Sequence, residues 1–372
     1  MRTPGRIPEL DGLRAMAILM VIAFHYFHKI PYFGAKLGWL GVDLFFALSG
    51  FLITTILLGL KDKRDFFGTF YARRALRIFP PYYVCLAVLL AVSLAAHRPG
   101  SVGLWMQFAL YYTSLQIGQP AMLYDHAMLN FGVAVALSTL WSLSVEELYY
   151  TLWAPVVRFF SRRGIWLTAL GMIVIAPVLR WWFHGPQGPE LHTFYCRMDA
   201  LGLGSLVALV HERERLGDGG MRRAGMWMRR AWMVLLPTWT VVAIATRGDE
   251  SSRVFATFGV SLADAFFASL VYAVVMGTGS NGLPMRMLRW GWLRWIGKVS
   301  YTLYLVNFPL RELSTWMVDS AQLRLPGVVL LAMKTLLGAG MSLLVAYLSW
   351  EWMESRILRW KDRRVPSAAH VQ

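Results

Sequence analysis

Cysteine is almost absent from this chain. Cys85 and Cys196 are the only two in 372 residues. Both lie in apolar surroundings without metal-ligand spacing, so they read as inert packing residues rather than as a metal cage. Charge is scarce as well, at 16% of residues against 57% hydrophobic, which excludes a soluble domain of this length. Acid is scarcer than base, 21 residues against 37, and the net charge is +16. That excess is not a nucleic-acid footprint. It gathers in short segments between apolar runs, at residues 61–64, 73–77, 222–230, 286–298 and 356–364, which is the positive-inside pattern of cytoplasmic loops. Alternating polar and apolar stretches are missing, which argues against a membrane β-barrel. A small-x-small exit is missing from the first apolar run, which also carries charges, so it does not read as a cleaved signal. No internal repeat is visible, which counts against inverted-repeat transporter folds.

What remains is a set of apolar runs near 20 residues, each long enough to cross a hydrocarbon core of about 30 Å. They fall at residues 10–28, 38–60, 78–96, 102–117, 140–160, 165–183, 194–210, 232–246, 254–276, 296–316 and 327–352. The fold class is therefore all-α, a polytopic integral membrane protein. Later pairs of runs are bounded by basic loops, as two crossings require. Three candidates between Arg77 and Arg158 make an odd number, and the short run at 102–117 is the weakest. Taking it as re-entrant or interfacial gives about ten transmembrane helices with both termini cytoplasmic. No globular extension is visible, so residues 1–372 read as one membrane-embedded domain, with 357–372 a short basic cytoplasmic tail. The hydrophilic linker at 211–230, HERERLGDGGMRRAGMWMRR, suits a helix on an anionic membrane surface.

Ionisable residues inside such runs carry the chemistry, because each costs about 2.5–3.5 kcal/mol at mid-membrane and needs a cavity or a partner. The first run, LDGLRAMAILMVIAFHYFH, holds Asp11, Arg14 and His25. Arg14 and His25 are eleven positions apart, close to three helical turns, so they share a face. Asp11 and Arg14 are neighbours at i and i+3. The other candidates are Asp43, the pair Glu146 and Glu147, the pair Arg197 and Asp199, and the cluster Arg73, Arg74 and Arg77. Each has a structural alternative. Asp11 with Arg14, and Asp43, can sit in the interface; His25 can belong to an aromatic helix end. Glu146 and Glu147 can be helix-N-terminal charges, and Arg197 with Asp199 a structural pair beside Gly202 and Gly204. The arginine cluster can be a topology anchor, or a patch shaped for phosphates, which arginine holds in bidentate fashion.

The segments LDGLRAMAILMVIAFHYFH, GVDLFFALSGFLI, FYARRALRIFPPYY, LWSLSVEELYY, FYCRMDALGLGSLVA and SYTLYLVNFPL occur in this order. Together they resemble the acyltransferase 3 family of bacterial integral-membrane O-acyltransferases, over residues 9–356. The resemblance maps the family's arginine and histidine onto Arg14 and His25, its RxxR element onto Arg74 and Arg77, and its acidic motif onto Glu146. It implies transfer of an acyl group, acetyl most often, from acyl-CoA to a hydroxyl of a carbohydrate, glycolipid or glycosylated acceptor at the bacterial cytoplasmic (inner) membrane, without a metal. Arg73, Arg74 and Arg77 would hold the CoA phosphates, and His25 would act as general base, oriented by Asp11 or Glu146. Arg14 would stabilise negative charge or hold CoA. A covalent acyl-cysteine route is poor, since neither cysteine has an adjacent base. Two departures stand out: Asn307 occupies a position that is usually histidine, and the sequence resembles the stand-alone form without a fused hydrolase-like domain. A proton-coupled transporter or flippase of a sugar or lipid-linked substrate also uses intramembrane ionisable groups, but needs no CoA-phosphate patch.

Overall fold

In the computed structural model of the protein, residues 7–27, 33–115, 131–184 and 191–364 are described. Every element among them is helical. In chain order these are α1 (Pro8–Phe27), α2 (Phe33–Lys36), α3 (Gly41–Leu60), α4 (Phe66–Ala95), α5 (Val102–Ala109), α6 (Phe131–Ser138), α7 (Trp141–Phe159) and α8 (Arg162–Trp182). They continue with α9 (Met198–Arg215), α10 (Gly219–Arg230), α11 (Trp232–Ala245), α12 (Val260–Met276), α13 (Leu283–Leu288), α14 (Gly291–Ser320), α15 (Gly327–Ser349) and α16 (Ser355–Arg364). Wider π turns lead into α12 at Phe255–Gly259 and follow α15 at Trp350–Glu354. Six helical stretches are long and apolar enough to cross a membrane: Pro8–Phe27, Gly38–Leu60, Phe66–Ala95, Arg162–Trp182, Phe255–Met276 and Gly327–Lys361. The protein is an all-α membrane protein.

Two local outcomes differ from the sequence reading. The basic stretch before residue 78 is not a loop, because α4 begins at Phe66 and runs through it. Nothing in FFGTFYARRALRI breaks a helix. Pro80 and Pro81 lie inside α4 and only deprive the carbonyls of Leu76 and Arg77 of their usual helical donors. The run at 102–117 forms only the eight-residue α5, about 12 Å long, which is too short to span; residues 116–117 lie outside the described residues. Of the basic tail at 357–372, residues 357–364 belong to α16, and the remainder lies outside the described residues.

The chain divides into two compact units. Among the described residues, the first comprises 7–27, 33–70, 145–184 and 191–298. Its core is built from α1, α3, α8, α9 and α12, around buried Leu13, Ile18, Phe46, Leu57, Val207 and Phe255. Glycine sets how closely these helices approach. A Cβ on Gly50 of α3 would overlap the carbonyl of Leu201 in α9, and one on Gly204 of α9 would overlap the carbonyl of Ala47 in α3. Gly38 and Gly41 meet the carbonyls of Met20 and Ala17 in α1 in the same manner. Small residues that let backbones touch are how helices associate where lipid tails compete for apolar contact. Caps fix the boundaries: Ser161 accepts from the Gly164 amide at 3.1 Å to start α8, and Asp218 accepts from Gly220 and Met221 to start α10.

The second unit comprises Tyr71–Ser144 and Val299–Ser367. Tyr82 and Tyr83 of α4 donate to the carbonyls of Phe108 (2.8 Å) and Ala109 (2.9 Å), which end α5. The chain then turns through Tyr111, whose φ of 55° is left-handed and whose ring stacks on Tyr82 at 4.2 Å. Tyr301 of α14 donates to the Ile78 carbonyl of α4 at 3.1 Å.

Candidate active site

Within the first unit, α1 buries Asp11 and His25 and leaves the Arg14 side chain 22% exposed. Arg14 Nη1 donates to Asp11 Oδ1 at 3.2 Å, so the i, i+3 pair read from the sequence forms. The start of α1 is pressed against its neighbours, because Gly12 meets the Leu288 carbonyl and Gly297 the Asp11 carbonyl with no room for a Cβ. His25 lies near the other end of α1, beside the Phe24 ring. Fourteen residues of continuous helix separate Asp11 from His25, about 21 Å of axial rise. At that separation Asp11 does not reach the His25 imidazole.

Glu146, on α7, has both carboxylate oxygens engaged. Oε1 accepts from Ser49 Oγ of α3 at 2.6 Å, and Oε2 accepts from the Tyr150 hydroxyl at 3.0 Å. Hydroxyl donors on a carboxylate are short, strong bonds that fix its rotamer. One turn further along, Tyr149 and Trp153 bind the same α3. The Tyr149 hydroxyl lies 3.2 Å from Thr54 Oγ1 and 2.7 Å from Ser205 Oγ, and Trp153 Nε1 donates to Thr54 Oγ1 at 2.9 Å. The α7 face that carries Glu146 is thus pinned to α3 at two levels. Ser49 and Tyr150 escaped the sequence reading, because hydroxyls in apolar runs carry no distinctive pattern. The only signal was that Tyr150 stands one turn after Glu146.

A second polar knot lies in the same unit. Asp43, in the first turn of α3, is fully buried and accepts from Arg197 Nη1 at 2.8 Å. Arg197 Nε donates to the Leu191 carbonyl at 2.9 Å, and its guanidinium lies 5.0 Å from the Trp39 ring centroid. Asp199 pairs instead with Arg180 of α8, at 2.9 Å and 2.5 Å in a two-pronged contact. Arg180 also donates to the Cys196 carbonyl and to Ser261 Oγ, at 2.5 Å and 2.6 Å. Arg197 and Asp199 are therefore not each other's partners. Residues two apart at a helix start diverge, and each finds its counter-charge across an interface. Arg180 and Asp264 were overlooked in the sequence, although each is an ionisable residue inside an apolar run and carried the same signal as His25.

In the second unit, Arg73, Arg74 and Arg77 occupy successive positions of α4, all half-buried. Arg77 lies within electrostatic reach of Glu354, whose Oε1 accepts from Thr302 Oγ1 at 2.7 Å and Ser349 Oγ at 2.9 Å. The cluster lies in a helix, with Glu354 near Arg77. Asn307 is fully buried, and its Nδ2 donates to the carbonyls of Leu303 and Tyr304 in its own helix, at 3.0 Å and 2.7 Å. Cys85 Sγ lies 3.9 Å from the Leu305 carbonyl, a group that Pro309 leaves without its helical donor. Among the described residues, no group of three or more His, Cys, Asp or Glu side chains is placed to hold a metal ion.

The acyltransferase domain family, Acyl_transf_3, matches residues 7–351. The peptidoglycan O-acetyltransferase OatA of Listeria monocytogenes is 25% identical over 370 residues, covering 94% of this chain and 56% of the relative. YrhL of Bacillus subtilis is 29% identical over 323 residues, covering 83% and 49%. The O-acetyltransferase OatA of Staphylococcus aureus is 26% identical over 327 residues, covering 83% and 51%. The chain spans about half the length of these relatives. No solved structure matches it.

Proposed function

Since the chain belongs to the acyltransferase domain family, we propose that it transfers an acetyl group from acetyl-CoA to a hydroxyl of a cell-envelope carbohydrate, of the peptidoglycan type that OatA of Listeria monocytogenes is named for. The observation that carries this reading is Glu146, a membrane carboxylate held by two hydroxyl donors in the same compact unit as the buried His25. A carboxylate with a fixed rotamer is a positioned hydrogen-bond acceptor in the membrane interior, able to hold a hydroxyl or a cationic group of a substrate. His25 removes the proton of the acceptor hydroxyl as its oxygen attacks the thioester carbonyl. The C–S bond then breaks, and the imidazolium returns the proton to the leaving thiolate. Arg14 is steered by Asp11 and, eleven residues (about 16 Å of helix) from His25, offers its charge to CoA rather than to the oxyanion formed at the imidazole. Arg73, Arg74 and Arg77 hold the CoA phosphates, because a compact set of guanidiniums on one helix face suits oxyanions. The membrane is then the bacterial inner membrane, with the donor entering from the cytoplasm.

Acetyl-CoA turnover by the purified chain in nanodiscs, with a lipid and glycan extract as acceptor, tests the reading. Label should pass to the glycan fraction with wild-type protein, and the His25→Ala variant should lose it by about 10²-fold or more while staying folded. Arg74→Ala should weaken acetyl-CoA binding. A folded preparation that neither binds nor turns over acetyl-CoA would sink the proposal.

A further inference from the structure

The knot around Asp43, Arg180, Arg197 and Asp199 holds one carboxylate more than the guanidiniums can balance. Asp264 stands at the tenth residue of the 22-residue apolar stretch Phe255–Met276, fully buried. Neither of its oxygens meets a hydrogen-bond donor of the protein among the described residues. The charges acting on it are the carboxylates Asp43 from α3 and Asp199 from α9, opposed by Arg180 from α8 and by Arg197 at the start of α9. α11, which also packs on α12, contributes no ionisable side chain to the balance. Three aspartates against two arginines leave one uncompensated negative charge in a buried interior, which is costly unless a cation joins it. Two further observations point to the same occupant. Thr257 Oγ1, 3% exposed on the π turn that leads into α12, has no partner, and neither has Asp43 Oδ2. Thr257, Ser261 and Asp264 follow at intervals of four and three, so they run along one side of that helix, and Ser261 is already bound into the knot through Arg180 and Asp199. π turns of this kind are frequent at ligand sites.

We propose that this knot is a binding site for one monovalent cation, a proton or a sodium ion, held at Asp264 and Asp43 Oδ2, with Thr257 two turns back along the same helix. Oxygen donors of this kind suit hard cations, and a single positive charge closes the count. The site is separate from the acetyl-transfer chemistry, since transfer from thioester to hydroxyl returns its proton to the thiol and takes up no cation.

The test is the melting temperature of the full chain in nanodiscs between pH 6 and 9, in choline chloride and in sodium chloride. No acyl donor is involved, so its failure and that of the acetyltransferase reading are distinguishable. In wild-type protein the melting temperature should fall by about 3 °C or more as pH rises in choline chloride. Recovery at pH 9 on adding sodium assigns sodium; a pH response that sodium leaves untouched assigns the proton. Asp264→Asn, which balances the knot without a cation, should lose both responses. If that variant keeps them, or if wild-type protein has neither, the site does not exist. Should Asp264→Asn fail to fold, infrared spectra of the wild type decide the matter. A protonated-acid C=O band that disappears with rising pH or with sodium supports the site, and a spectrum without such a band in protein that also ignores sodium overturns it.

Discussion

At the scale of the residue, the membrane interior of this protein is governed by which polar groups are engaged and by whom. Glu146 shows the point. Its two oxygens are taken by Ser49 and Tyr150, so its direction is set before any substrate arrives. A hydrogen bond to a charged group is worth about 1.5–3 kcal/mol, and each 1.36 kcal/mol is a factor of ten in rate. Ser49→Ala or Tyr150→Phe should therefore lower kcat for acetyl transfer about 10-fold or somewhat more, with KM for acetyl-CoA little changed, because the donor site is not touched. Glu146→Gln keeps the shape and removes the charge, and should cost about 10²-fold or more. A Ser49→Ala enzyme with wild-type kcat would reduce the contact to packing. The buried pairs Arg180–Asp199 and Arg197–Asp43 belong to a different kind of residue chemistry. Removing one partner strands a charge, which costs about 3–5 kcal/mol, so their weight is structural.

At the scale of the element, most of the architecture was legible because length and hydropathy alone decide whether a segment can be a membrane helix. The run expected at 254–276 appears as the stretch Phe255–Met276, and the one at 165–183 as α8. Boundaries were less legible where polar residues belong to a helix. α4 starts twelve residues before its expected apolar run, because Arg73, Arg74 and Arg77 are good helix formers that hydropathy counts against. What the sequence could not say is which glycines are contacts. Gly204 and Gly340 look alike as letters in apolar helices. A Cβ on Gly204 would strike the Ala47 backbone, which cannot give way, whereas one on Gly340 meets nothing within 4 Å. Gly204→Ala should therefore force α3 and α9 apart and lower the melting temperature by several degrees, about 2–4 °C for each kcal/mol lost. Gly340→Ala should be neutral or slightly stabilising, since alanine is the better helix former. Equal melting curves for the two variants would remove close glycine packing as the basis of the α3–α9 interface.

At the scale of the whole molecule, the site was only half legible. His25, Arg14 and the arginines of α4 stand out as charges where apolar residues are expected, and a pattern of that kind survives in a sequence. The partners do not. Ser49 with Glu146, or Arg197 with Asp43, are 97 and 154 residues apart, and nothing in composition links them. The membrane topology lies between these extremes. Basic segments precede α4, follow α7, fill α10 and α13, and end in α16. With α5 too short to cross, the positive-inside rule would take the chain out with α4 and back with α7 between the first two of them. The same rule would assign one crossing to each of α8, α9, α11, α12, α14 and α15, and ten in all with α1 and α3, the number expected from the sequence. Four of these fall outside the six long apolar stretches, since α7, α9 and α14 carry charge and α11 is 14 residues long. Single cysteines in a background without Cys85 and Cys196 test that assignment. Ser252→Cys and Gln322→Cys, in the turns after α11 and α14, should react with a membrane-impermeant maleimide on intact cells. Lys63→Cys and Arg223→Cys should react only after permeabilisation. Outside labelling of Arg223→Cys would place α10 on the outer face. The basic loops would then no longer share one side, and Arg73, Arg74 and Arg77 would lose the cytoplasmic access that a CoA-binding role demands of them.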